Sequence, residues 1–106
     1  MDRLKKRTDF LAIAKTGRRC VTPAFILQSR PSPSDGPVRL GLTASRKVGG
    51  AVERNRAKRR LRALARHILP LKGQPGTDYV LIARQESLRR DFAAMRQDLE
   101  KALKKV

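Results

Sequence analysis

The chain has 106 residues, 40% of them hydrophobic, and carries 26 Lys and Arg against 9 Asp and Glu, a formal net charge of +17. That length suits one domain over residues 1–106, able to bury a core without disulfides or a structural metal. The composition excludes a membrane span, which needs ~20 consecutive apolar residues. It equally excludes an intrachain disulfide, since Cys20 is the only cysteine, and a Cys/His zinc cluster, since His67 is the only histidine. MDRLKKRTDF at the start lacks the apolar stretch of a secretory signal, so a reducing cytoplasm is the expected location.

Taken in order, the elements begin with a short helix over Asp9–Thr16. Thr8 is its predicted N-cap, Phe10, Ile13 and Ala14 form its apolar face, and Gly17 is its predicted left-handed C-cap. Val21 and the run Ala24-Phe25-Ile26-Leu27 read as two strands divided by Pro23, which cannot donate to a ladder. Residues 31–37, PSPSDGP, form a loop short enough to join an antiparallel pair. The next strand alternates, with Val38, Leu40, Leu42 and Ala44 on one face and Arg39, Gly41, Thr43 and Ser45 on the other.

A glycine-bearing loop from Arg46 to Gly50 then leads into a helix with an apolar stripe at Ala57, Leu61, Leu64, Ala65 and Ile68, about 100° wide, which Pro70 is expected to stop. After a loop from Leu71 to Gly76, Asp78–Arg84 is apolar on both faces and reads as a central strand. Asp91 caps a last helix, whose Phe92, Met95, Leu99, Ala102 and Leu103 repeat with a helical period. The order αβββαβα predicts an α+β sandwich, a small four-stranded mixed sheet with helices packed on it.

The charge is concentrated from Ser45 to Leu69, where nine residues are Lys or Arg and Glu53 is the only acid. Like charges at i,i+4 destabilise a helix, and a solvated helix normally interleaves Glu with Lys. A run this one-sided points to a polyanionic partner, with arginine suited to bidentate phosphate contacts and base stacking. A strand precedes the helix, which argues against a DNA-reading helix-turn-helix, and the aromatic sheet of an RNA-recognition motif is absent. The scattered acids form no two-metal catalytic set, so the chain reads as one that positions and neutralises rather than one that reacts.

The run SRKVGGAVERNRAKRR after the GLTA strand resembles the RNR signature of the bacterial ribonuclease P protein family. LKKRTDF, AFIL and DYVLIAR extend the resemblance in the same order over most of residues 4–84. The resemblance implies the αβββαβα fold and an accessory subunit of a ribonucleoprotein that removes the 5′ leader of precursor tRNA. It implies that chemistry belongs to a catalytic RNA and its Mg²⁺ ions, with no organic cofactor, no membrane and no obligate protein partner. It assigns RNA contact to Arg46, Lys47, Arg54, Asn55, Arg56, Lys58, Arg59, Arg60 and Arg62. It also implies a leader-binding cleft, here Phe10, Ala14, Lys15, Phe25, Gln28 and Arg39, in which Ala14 and Gln28 replace aromatic residues common in the family. The alternative is a small structural RNA-binding protein of ribosomal type, without a role in cleavage.

Overall fold

The computed structural model describes residues 1–33 and 36–106; Ser34 and Asp35 of the predicted loop lie outside them. In chain order the elements are β1 (Asp2–Arg3), α1 (Arg7–Thr16), β2 (Arg18–Val21), β3 (Phe25–Pro31), β4 (Arg39–Thr43), α2 (Ala51–Lys72), β5 (Thr77–Ala83), a short 3₁₀ turn (Gln85–Leu88) and α3 (Phe92–Lys105). The fold is the expected α+β arrangement with one strand more than expected. The sheet runs β1-β4-β5-β3-β2, with β5 parallel to β4 and antiparallel to β3.

The extra strand, β1, pairs parallel with β4 through two residues, and Asp2 N–H donates to the Val38 carbonyl at 2.8 Å. Its sequence has no apolar alternation to announce it. β3 and β4, expected as a connected pair, are kept apart by β5. That strand supplies hydrogen-bond partners on both edges and is apolar on both faces because both are covered.

The faces follow from register. Phe25, Leu27, Leu40, Tyr79, Leu81 and Ala83 point to one side, where they form a core with the α2 stripe and with Met95, Leu99 and Ala102 of α3. Ile13 of α1 covers the other side, packed with Leu4 and Val80 and flanked by Phe10 and Ile82. At roughly 25 cal/mol per Å² of apolar surface, each fully buried Leu or Phe stabilises by about 2 kcal/mol relative to exposure.

Three local expectations change. Helix α1 starts at Arg7 after an extended Lys6, so Thr8 lies inside the first turn and caps nothing. Entry is set instead by Leu4, which is buried and whose N–H donates to the Leu40 carbonyl at 2.9 Å. Gly17 has φ −75°, not a left-handed angle. It is needed for close approach, because a Cβ would stand 2.5 Å from the Ile13 carbonyl oxygen and 2.6 Å from that of Ser29. Pro70 does not stop α2, which continues to Lys72. Pro70 and Arg66 are both exposed, so the hydrogen bond that proline removes falls on the side where water can solvate the freed carbonyl.

Candidate RNA interface

The basic stretch is held at both ends before it reaches solvent. Val48 buries its side chain, and the Gln85 side-chain amide donates to the Lys47 carbonyl at 2.9 Å, which ties the loop to the end of β5. Gly49 has φ +147°, a backbone angle that a side chain would strain, and it turns the chain into the N-terminus of α2 at Gly50. From there Ala57, Leu61, Leu64, Ala65, Ile68 and Leu69 are buried, so the helix has a fixed rotation on the sheet.

That rotation sorts the predicted contact residues. Arg46, Lys47, Asn55, Arg56 and Arg59 are exposed, while Arg54, Lys58 and Arg62 are half-buried. Among the described residues, none of Arg56, Lys58, Arg59, Arg62 and Arg66 makes a side-chain hydrogen bond or ion pair within the protein. Their charge faces outward, unneutralised. Lys58 and Arg62 sit between two grooves. One, of about 450 Å³, is lined with Val52, Asn55 and Arg59; the other, of about 320 Å³, with Arg66, Arg3 and Phe10.

Two members of the predicted set are spent internally. The Arg60 guanidinium donates to the carbonyl oxygens of Ser87 and, at 2.7 Å, of Arg90, so it braces the 3₁₀ turn. Arg54 donates to the Gly49 carbonyl at 3.3 Å and stiffens the loop.

The predicted cleft is only partly assembled. Phe10 and Gln28 do lie on the α1 face of the sheet, and Ala14 and Lys15 are exposed on α1 itself. Gln28 is 5% exposed and lies between Arg19 and Val80 in register. Phe25 does not belong to the set. It is 0% exposed and points into the core on the opposite face, because strand residues alternate and Ile26, not Phe25, shares a face with Gln28.

Arg39 is on the correct face, but its guanidinium is committed to Asp78, with Nε and Nη2 each 2.7 Å from a carboxylate oxygen. Burial pushes the Asp78 carboxyl up; hydrogen bonds from Arg39 and Arg30, with their charges, outweigh it and hold the group below its ordinary value.

Residues absent from the predicted set complete the surface. Val21, Ile26, Ile82 and Thr43 form one row across four strands on the α1 face, and Val21 is 57% exposed. Ile26 and Ile82 continue into a cavity of about 780 Å³ that ends at Ser45 and Lys47. The apolar sheet face and the basic loop are thus one continuous surface. The signal in the sequence is that Ile26 and Ile82 lie in runs apolar on both faces; the strand register that brings them together is not visible there.

No group of three or more His, Cys, Asp or Glu among the described residues is placed to hold a metal ion, and no helix among them is long and apolar enough to cross a membrane. The features define a class: a small α+β protein that braces an arginine-rich helix across a sheet and turns its charge to solvent. A family model for Ribonuclease P matches residues 1–106.

The chain is 44% identical over 110 residues to the ribonuclease P protein component of Paramagnetospirillum magneticum, covering 100% of this chain and 83% of that one. It is 48% identical over 102 residues to that of Caulobacter vibrioides strain NA1000 / CB15N, covering 96% and 68%. Among solved structures, the RNase P protein from Thermotoga maritima superposes with a TM-score of 0.79 at 36% identity, covering 100% of this chain and 98% of that one. The Staphylococcus aureus RNase P protein gives 0.79 at 30%, covering 98% and 94%. The chain belongs to the ribonuclease P protein family, the protein component of a tRNA-processing ribonuclease.

Proposed function

We propose that this chain binds the catalytic RNA of ribonuclease P through α2 and its preceding loop, and receives the 5′ leader of precursor tRNA on the α1 face of the sheet. The observation that carries the reading is the sorting of α2. One stripe is buried in the core, while Arg56, Lys58, Arg59, Arg62 and Arg66 keep their charges without a protein partner. Such a face lowers the repulsion between two RNA molecules brought side by side, and its contacts are to phosphate.

The leader row is apolar and suits unstacked bases, and it runs into the basic loop at Lys47. In this reading the Mg²⁺ ions that carry the hydrolysis belong to the RNA, and the assembly works in the cytoplasm. This chain's own part is to bind, orient and neutralise.

The test is reconstitution with a matched ribonuclease P RNA at low Mg²⁺. Added protein is expected to raise leader cleavage and to favour precursor over mature tRNA. Binding of RNA with no gain in cleavage would overturn the proposal in favour of a purely structural RNA-binding role.

A further inference from the structure

Arg30, Asp78 and Arg39 are register partners in one row across β3, β5 and β4. The Asp78 side chain is 0% exposed. Arg39 clamps it with two bonds, and Arg30 Nε donates to Asp78 Oδ2 at 3.2 Å. The other arm of Arg30 reaches α1, where Nη2 is 3.1 Å from Asp9 Oδ1. The formal charges of these four side chains cancel. Among the described residues, the Asp9–Arg30 pair is the only polar side-chain tie between α1 and the sheet; the rest of the helix rests on Phe10, Ile13 and the close approach at Gly17.

A buried ion pair is a poor source of stability, since its desolvation cost rivals its attraction. What it supplies here is direction. Apolar contacts between a helix and a sheet tolerate small rotations, whereas a directional guanidinium–carboxylate hydrogen bond tolerates them less. Asp9 is next to Phe10, so whatever fixes Asp9 also fixes where the Phe10 ring stands relative to the Ile26–Ile82 row.

We propose that Asp78 and Asp9 are positioning residues, and that the relay Arg39–Asp78–Arg30–Asp9 sets the tilt of α1 and hence the shape of the leader cleft. On this view Arg30 and Arg39 are struts and not phosphate ligands. The inference rests on the leader reading above and adds to it the device that holds the cleft in form.

Asp9→Asn separates geometry from charge, because the two predict opposite signs. The variant loses a negative charge and the ion pair to α1, while Arg30 Nε stays bonded to Asp78. If these arginines grip phosphate, precursor tRNA binds more tightly to the reconstituted enzyme, with a steeper salt dependence. If the relay positions α1, the preference for precursor over mature tRNA falls about threefold to fivefold, the scale of a part-exposed ion pair. Affinity for the catalytic RNA and the salt slope then stay at wild-type values.

Asp9 is 21% exposed, so the variant is expected to fold, and a thermal melt checks this. A lower melting temperature with an unchanged preference would make the relay merely structural and overturn the inference. A steeper slope with tighter precursor binding would overturn it in favour of direct contact. The wild-type preference is measured alongside: if it is absent, the leader reading itself fails; if it is present and survives Asp9→Asn, only the positioning inference fails.

Discussion

The Phe10 ring lies on the bare backbone of Gly41: a Cβ at position 41 would stand 2.5 Å from the ring's Cε1 and 2.7 Å from its Cζ. The helix that walls the cleft therefore depends on a missing side chain in the sheet beneath it. Gly41→Ala is expected to cost about 1–3 kcal/mol through overpacking, read by urea denaturation. In a Phe10→Ala background the same substitution should cost far less, because the clashing ring is gone. Equal costs in the two backgrounds would mean that the contact does not set the packing.

Arg59 and Arg60 are neighbours in sequence with different surroundings: Arg59 is exposed, while Arg60 is bonded to two backbone carbonyls. If about six phosphates are neutralised as proposed, log K for the catalytic RNA is expected to fall with log salt at a slope of roughly −4 to −5. Replacing Arg56 or Arg59 with Ala should lower that slope by nearly one unit and leave thermal stability unchanged. Arg60→Ala should do the reverse and destabilise the fold by about 1–3 kcal/mol, because the Ser87 and Arg90 carbonyls lose their donor. Filter-binding titrations at several salt concentrations, paired with melting curves, check both halves.

The Asp78 carboxyl makes stability depend on acid. Its value in the folded chain lies below its unfolded value, so the stabilisation is fully present above about pH 4 and is lost as pH falls through the folded value. Unfolding free energy should show no pH dependence from this group between about pH 5 and 8, where its stabilisation is complete, and should drop below about pH 4. Asp78→Asn is expected to lose about 3 kcal/mol at neutral pH and to show a shallower acid limb. Denaturation at a series of pH values measures both.

Ala14 is exposed on α1, one residue after the buried Ile13. Ala14→Phe restores an aromatic platform, worth roughly 1–3 kcal/mol if a base stacks on it. Affinity for precursor tRNA should rise while affinity for mature tRNA stays constant, as measured in competition binding to the reconstituted enzyme. A parallel rise for both would place the new ring outside the leader path.

Much of this was legible along the chain because its signals are local. The α2 stripe could be read from Ala57 to Ile68 because helical spacing needs no partner, and β5 could be placed centrally because both its faces are apolar. Asp91 caps α3 as its position implies, accepting from the Ala94 N–H at 3.2 Å.

The rest depends on long-range register. Phe10 and Phe25 look alike in sequence, yet one stands on the α1 face and the other in the opposite core, a difference set by strand alternation. Arg39 reads as a free cation until β5 brings Asp78 beside it, and Arg60 reads as part of a charged face until the 3₁₀ turn presents its carbonyls. β1 forms only because β4 offers it backbone groups, so its two residues carry no pattern of their own.

The placement of β5 also has a consequence for synthesis. It is the last strand made, yet it lies between β4 and β3 and joins the β1-β4 pair to the β3-β2 hairpin. Until residue 83 is available, these are two separate ribbons, each too small to be stable in water by itself. Helix α2 precedes β5 in the chain, so its arginine face and its leucine stripe emerge before the platform that sorts them is complete. Before β5 is made, the cationic α2 segment thus has no completed platform for its apolar stripe, and only the seven residues from Thr77 to Ala83 close the sheet over which that stripe is buried.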